Sequence, residues 1–162
     1  DIINIINKKE KLKDWNFLMV EKSANLRNRQ KNKLLNFQKE GLRVSWNKNL
    51  QIKDEKRSIY FLCNEFFDAL PINQFLYLNE KWIERKIALN TEGMLHFTFE
   101  ETLKRIPQYY KKCANGSFIE HSNSSKKILD QIFSHISNFG GVFLLIDYGP
   151  YKKKRIDTLQ AI

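Results

Sequence analysis

An apolar run that stops abruptly at charge constrains this chain more than any other feature. Ile59-Tyr60-Phe61-Leu62-Cys63 gives way at once to Asn64-Glu65, then to Phe66-Phe67-Asp68-Ala69-Leu70-Pro71. Such a run reads as a strand buried on both faces, as parallel sheets require. Open α/β sheets place their ligand sites where such strands end. The pattern recurs: residues 17–20 end at Glu21-Lys22-Ser23, and residues 142–146 end at Asp147-Tyr148-Gly149. Three apolar strands, each ending in an acid, predict an α/β fold with one shared functional edge.

The chain has 162 residues, 42% of them hydrophobic and 13% aromatic, which fits one ordinary globular domain. No apolar run approaches the roughly 20 residues that span a bilayer, so no membrane insertion is expected. The start, Asp1-Ile2-Ile3-Asn4, has neither an initiator Met nor a signal-peptide layout and reads as an internal cut.

A net charge of +10 raises the possibility of a nucleic-acid face. The excess is mostly Lys, accompanied by abundant Asn and Ile, as codon bias in an AT-rich genome produces. The positive residues are scattered except in stretches 8–13 and 152–155. A solvated surface is therefore preferred over nucleic-acid binding. Cys63 and Cys113 lack Cys-x-x-Cys spacing and require no disulfide, which fits a reducing compartment. His96, His121 and His135 show no metal-ligand spacing.

Along the chain, residues 1–13 read as the end of an amphipathic helix, and residues 15–20 as a short buried strand. Ser23 is placed to cap a helix with Leu26, Leu34, Leu35 and Phe37 on its apolar side, closed near Gly41. A brief strand at 42–46 and a polar loop at 47–57 follow. Phe75-Leu76-Tyr77-Leu78 and residues 82–87 flank Asn79-Glu80-Lys81 as an antiparallel hairpin, and residues 95–99 alternate as a third strand. This region, about 72–112, reads as an insertion in a core made of 1–70 and 115–162. Residues 117–120 are a short strand or extended entry to a helix capped by Ser122 or Ser124, with Ile128, Leu129, Ile132, Phe133 and Ile136 on one side. Gly140-Gly141 then turns into the last strand.

Several residues at the strand ends can carry chemistry. Glu21 can accept hydrogen bonds from ribose hydroxyls, or simply favour the positive end of the next helix. Asn64 can donate and accept towards a ligand, and Glu65 can orient a cationic substrate. Asp68 can support either role or cap its own turn. Phe66 and Phe67 read more readily as core than as a cofactor cage. Tyr148 can reach the same edge or cover the sheet end. The sequence contains no Gly-x-Gly-x-x-Gly, Walker loop, Gly-x-Ser-x-Gly or metal signature.

Val20-Glu21-Lys22-Ser23-x-x-Leu26-Arg27-x-x-Gln30, the Asn64-to-Pro71 segment and Trp82-Ile83-Glu84-Arg85 form a distinctive set. So do Gly140-Gly141-x-x-Leu144-Leu145-Ile146-Asp147-Tyr148-Gly149 and Asp157-Thr158-Leu159-Gln160-Ala161. Together they resemble the MidA family of S-adenosyl-L-methionine-dependent methyltransferases. Its mitochondrial members are complex I assembly-factor protein arginine methyltransferases. The resemblance implies a Rossmann-like class I methyltransferase fold, a mostly parallel sheet flanked by helices. The first strand and its glycine loop would lie upstream of Asp1, so that this fragment alone is expected to be inactive.

By the same resemblance, Glu21 would bind the cofactor ribose, with Asn64 and Glu65 beside the transferable methyl; Ser23 is expected to bind the cofactor with Glu21 and Asn64. Glu65 and Asp68 would be catalytic. Gln74, Glu84, Arg85 and Tyr148 would contact a protein substrate, such as a respiratory complex I subunit. For Glu84 and Arg85, a self-satisfied surface pair is the preferred plainer reading. His121 with Asn123 departs from a Pro-containing turn of many members. The AT-rich composition points to a bacterial cytoplasm, or the mitochondrial matrix if the source is eukaryotic. A catalytically inactive assembly factor and, less favoured, a basic nucleic-acid-binding domain are the alternatives.

Overall fold

A computed structural model describes residues 2–9, 12–52, 56–101 and 113–149. The basic stretch 152–155 and the segment 157–161 lie outside the described residues, as do parts of stretches 8–13 and 47–57. The chain divides into two compact units, Asp1–Glu55 and Lys56–Ile162.

In the first unit, helix α1 (Ile2–Lys9) and a single 3-10 turn (Leu12–Asp14) precede strand β1 (Asn16–Val20). Helix α2 (Ala24–Lys39) crosses over to strand β2 (Arg43–Asn47), which pairs parallel with β1 from Asn16↔Arg43 to Val20↔Asn47. A parallel partner requires such a crossover, and here the helix supplies it. Ser23 is the N-cap, its Oγ accepting from the Leu26 N–H at 3.3 Å. Gly41, with φ +103°, lets the chain reverse so that the Leu42 N–H reaches the Phe37 carbonyl at 2.8 Å. The apolar side read for α2 is weak. Leu34 and Phe37 are half-buried, Leu26 and Leu35 are exposed, and no residue of this largely polar helix is buried.

In the second unit, strands β3 (Ile59–Asn64) and β8 (Gly141–Ile146) pair parallel from Ile59↔Gly141 to Asn64↔Ile146. Helix α3 (Asn123–Phe139) leads into β8 through Gly140. The α3 face holds Ile132, 1% exposed, whose burial contributes about 2 kcal/mol. It also holds His135, whose Nε2 lies 2.9 Å from the Arg57 carbonyl and whose ring meets Phe61 edge-on. This is an ordinary structural histidine. Phe143 of β8 packs edge-on against Phe133 of α3 and against Phe67. Phe67 is half-buried and packs on the sheet without belonging to its fully buried core.

Strands β4 (Asn73–Leu78), β5 (Lys81–Leu89), β6 (Leu95–Glu101) and β7 (Phe118–His121) form an antiparallel sheet in the order β6-β5-β4-β7. The β4–β5 turn uses Asn79 and Glu80 at φ 49° and 63°, the conformation of the tight hairpin turns that match strand twist. Of the two readings for the segment before α3, the short strand holds: β7 pairs with β4 from Asn73↔His121 to Leu76↔Phe118. Phe75, Phe118 and Ile119 form its buried apolar centre.

The strands read as buried are not covered on both faces. Along β3, Ile59, Phe61 and Cys63 are half-buried while Tyr60, Leu62 and Asn64 are exposed. Val142, Leu144 and Ile146 continue that exposed face on β8. Side chains of a strand point alternately to two faces, and among the described residues α3 packs on only one.

Candidate functional site

The strand ends place the acidic residues. In the first unit, the Glu21 N–H extends the β1–β2 ladder by bonding to the Asn47 carbonyl at 2.9 Å. Its Oε1 accepts from the Ser23 N–H at 2.8 Å, which satisfies one of the helix's unpaired donors. Among the described residues, the other carboxylate oxygen has no hydrogen-bond partner. Glu21 thus serves the helix end with one oxygen and has the second to offer. A ribose hydroxyl needs such an acceptor, so the residue fits a nucleoside cofactor. Ser23 uses its hydroxyl as an acceptor in the cap and retains its hydrogen for donation.

In the second unit, the parallel register brings the ends of β3 and β8 to one level. The Glu65 N–H bonds to the Ile146 carbonyl at 2.9 Å, and Glu65 itself has φ 45°. A left-handed non-glycine residue costs about 1 kcal/mol, and such strain gathers at functional sites. Asn64 is exposed immediately before it. From the β8 side, Asp147 Oδ1 accepts from the Tyr148 N–H at 2.9 Å. The Asp68 carboxylate, first, and then smaller effects that include Asp147 and Glu65 raise the Tyr148 phenol above its ordinary range. Glu65, Asp68, Asp147 and Tyr148 therefore share one exposed edge. Ser122 ties the loop beneath them to α3, its Oγ donating to the Pro71 carbonyl at 2.9 Å while capping the Ser125 N–H at 3.1 Å.

The hairpin residues lie elsewhere in the network. Gln74, 7% exposed, donates from Nε2 to Glu120 at 2.8 Å and accepts from Arg85 Nε at 2.9 Å. The Arg85 guanidinium sits 4.1 Å from the Phe97 ring centre and 4.7 Å from that of Phe118, both within cation–π range. Glu84, 6% exposed, accepts from Asn73 Nδ2 at 2.8 Å. The preferred plainer reading, a surface Glu84–Arg85 pair, fails because Glu84 is buried and consecutive strand residues face opposite ways. The Cys63 thiol is half-buried and pushed up by that burial, the reverse of an activated nucleophile. Among the described residues, no three His, Cys, Asp or Glu side chains are grouped to hold a metal ion.

Two further residues, which sequence alone does not single out, hold the β1–α2 turn and its helix. Arg27 Nη1 donates to the Glu21 carbonyl at 2.8 Å and the Lys22 carbonyl at 2.9 Å. Gln30 Oε1 accepts from Trp46 Nε1 at 2.9 Å, fastening α2 to β2. Both lie in the motif that begins at Val20, at spacings of six and nine residues from Glu21.

Parallel strand pairs with a helical crossover and acids at their carboxyl ends define an α/β protein of the nucleotide-cofactor type. The chain matches, over residues 1–162, the family described as "Putative S-adenosyl-L-methionine-dependent methyltransferase", and it belongs to that family. It is 31% identical over 137 residues to the mitochondrial protein arginine methyltransferase NDUFAF7 homolog of Caenorhabditis elegans, covering 74% of this chain and 32% of that protein. It is 31% identical over 125 residues to the mitochondrial NDUFAF7 of Danio rerio, covering 75% and 29%. The chain thus spans about a third of the length of these relatives. In fold it is similar to a COG1565 superfamily member from Burkholderia thailandensis, bound to S-adenosyl-homocysteine, with TM-score 0.67 and 20% identity over 91% of this chain and 38% of that one.

Proposed function

We propose that the protein transfers a methyl group from S-adenosyl-L-methionine to an arginine side chain of a protein substrate. The observation that carries this reading is the edge formed by Glu65, Asp68 and Tyr148, in a chain of this methyltransferase family. The names of the mitochondrial relatives support arginine as the acceptor. The MidA resemblance adds a respiratory complex I subunit as substrate. The site would then work in the mitochondrial matrix of a eukaryote or the cytoplasm of a bacterium. No helix among the described residues is long and apolar enough to cross a membrane.

Glu21 and Ser23 in the first unit, and Asn64 in the second, are the proposed cofactor-binding residues. Both units would belong to one methyltransferase domain. When bound, the cofactor supplies an electrophilic methyl group. The protein's share is positioning and charge. An arginine guanidinium is permanently cationic and presents planar pairs of N–H donors that match carboxylates. Glu65 and Asp68 can accept those donors and concentrate electron density on one nitrogen. The Tyr148 phenol shares this edge with Asp68, and its oxygen can accept from the same guanidinium. The proton lost from that nitrogen passes to a carboxylate or to water. Gln74, Glu84 and Arg85 are assigned to the sheet that backs the protein substrate, their polar groups being engaged within it.

The test is methyl transfer by the native-length protein from labelled S-adenosyl-L-methionine to complex I subunits, with methylarginine located by mass spectrometry. Labelled arginine that disappears in Glu65→Gln supports the proposal. Cofactor binding without any transfer would leave an assembly factor that has lost catalysis.

A further inference from the structure

We infer that Arg27 is a positioning residue for the cofactor-binding carboxylate of Glu21, an inference that rests on the cofactor reading of Glu21 proposed above. Three residues, Glu21, Lys22 and Ser23, connect β1 to α2. Such a turn leaves backbone groups to be satisfied and dihedral angles to be fixed. The Glu21 N–H is held by the Asn47 carbonyl at 2.9 Å, and one of its carboxylate oxygens by the Ser23 N–H at 2.8 Å. The Ser23 carbonyl accepts from the Arg27 N–H at 3.0 Å, as the first turn of a helix requires. The Glu21 and Lys22 carbonyls are bridged by a single nitrogen, Arg27 Nη1, at 2.8 and 2.9 Å.

Bridging consecutive carbonyls fixes the peptide planes on either side of Lys22, and with them the direction in which the Glu21 side chain leaves β1. Glu21 is then held through its N–H, its carbonyl and one carboxylate oxygen. The second oxygen is presented in one direction. Helix stability does not explain the arrangement. Arg27 is a cation in the opening turn of α2, where the helix dipole disfavours positive charge. Immobilising its side chain also costs rotamer freedom. Its two hydrogen bonds go to carbonyls of the turn, outside the helix, and so hold the turn and not the helix. What they secure is the shape of the turn. Gln30, one turn further on, fastens the same helix to Trp46 of β2 at 2.9 Å.

The test is calorimetric binding of S-adenosyl-homocysteine to the native-length protein. Arg27→Met should weaken binding about tenfold, the size of one lost charge-assisted hydrogen bond. At saturating cofactor the KM for an arginine-containing substrate should not change, whereas general loosening of the fold would move it. In a Glu21→Gln background, Arg27→Met should change the affinity less than about twofold. Unchanged affinity in Arg27→Met overturns the inference, as does a full tenfold loss that persists without the Glu21 carboxylate. If the unaltered protein binds no S-adenosyl-homocysteine, the cofactor reading of Glu21 itself fails and Arg27 loses its role with it.

Discussion

Replacing Gly141 by Ala tests whether the β3–β8 register, on which the acidic edge depends, is as close as described. Gly141 begins β8 at φ +137°, opposite Ile59. A Cβ there would lie 2.1 Å from the Ile59 carbonyl oxygen and 3.0 Å from its nitrogen. Carbon–oxygen contacts normally begin near 3.3 Å, so the strands must part by about 1 Å or the register must slip. The backbone angle costs about 1 kcal/mol for any L-residue, and such overpacking adds about 2 kcal/mol more. Gly93 supplies the control, since it has φ +76° and nothing within 4 Å of its would-be Cβ. Gly93→Ala should therefore cost only about 1 kcal/mol. With a urea slope of about 2 kcal/mol/M, the unfolding midpoint should fall about 1.5 M for Gly141→Ala and about 0.5 M for Gly93→Ala. Equal shifts in the two variants would refute the close approach of β8 to β3, and with it the alignment of Glu65 with Asp147.

Glu65→Gln should lower kcat at least about 100-fold while cofactor affinity changes less than about threefold, measured by steady-state methylation and calorimetry. The raised Tyr148 phenol should titrate above an ordinary tyrosine, and Asp68→Asn should bring it back down, read by ultraviolet difference spectra against Tyr148→Phe. The sign follows from the phenol being the neutral form beside Asp68. Its contribution to stability is complete below the ordinary phenol range and is lost as pH rises through the higher folded value. Ser122→Ala removes both the α3 cap and the bond to the Pro71 carbonyl and should cost about 1–2 kcal/mol in thermal or urea unfolding.

Most of the architecture was legible because it rests on local chemistry. Ser23 and Ser122 cap helices with their own side chains, and Asn79-Glu80 forms a two-residue turn. The acid at each strand end marks a change from apolar to polar that needs no tertiary knowledge. Pairing across sequence was not legible. Nothing local says that residues 118–121 add to the hairpin beside β4, or that Arg85 is held between Phe97 and Phe118. Burial was overstated for the same reason, since an apolar strand declares its composition but not which face is covered. At the site, Glu65 stood out by position, while the nearness of Asp68 to Tyr148 spans eighty residues and required the β3–β8 pairing. Arg27 lay inside a motif already quoted. Its role depends on where two carbonyls point, which residue types do not reveal.

The most direct test of the account is a crystal structure of the native-length protein with S-adenosyl-homocysteine. The account predicts the free Glu21 carboxylate oxygen within hydrogen-bond distance of a ribose hydroxyl. A cofactor whose ribose lies away from the end of β1, with Glu21 contacting only the Ser23 N–H, would contradict it.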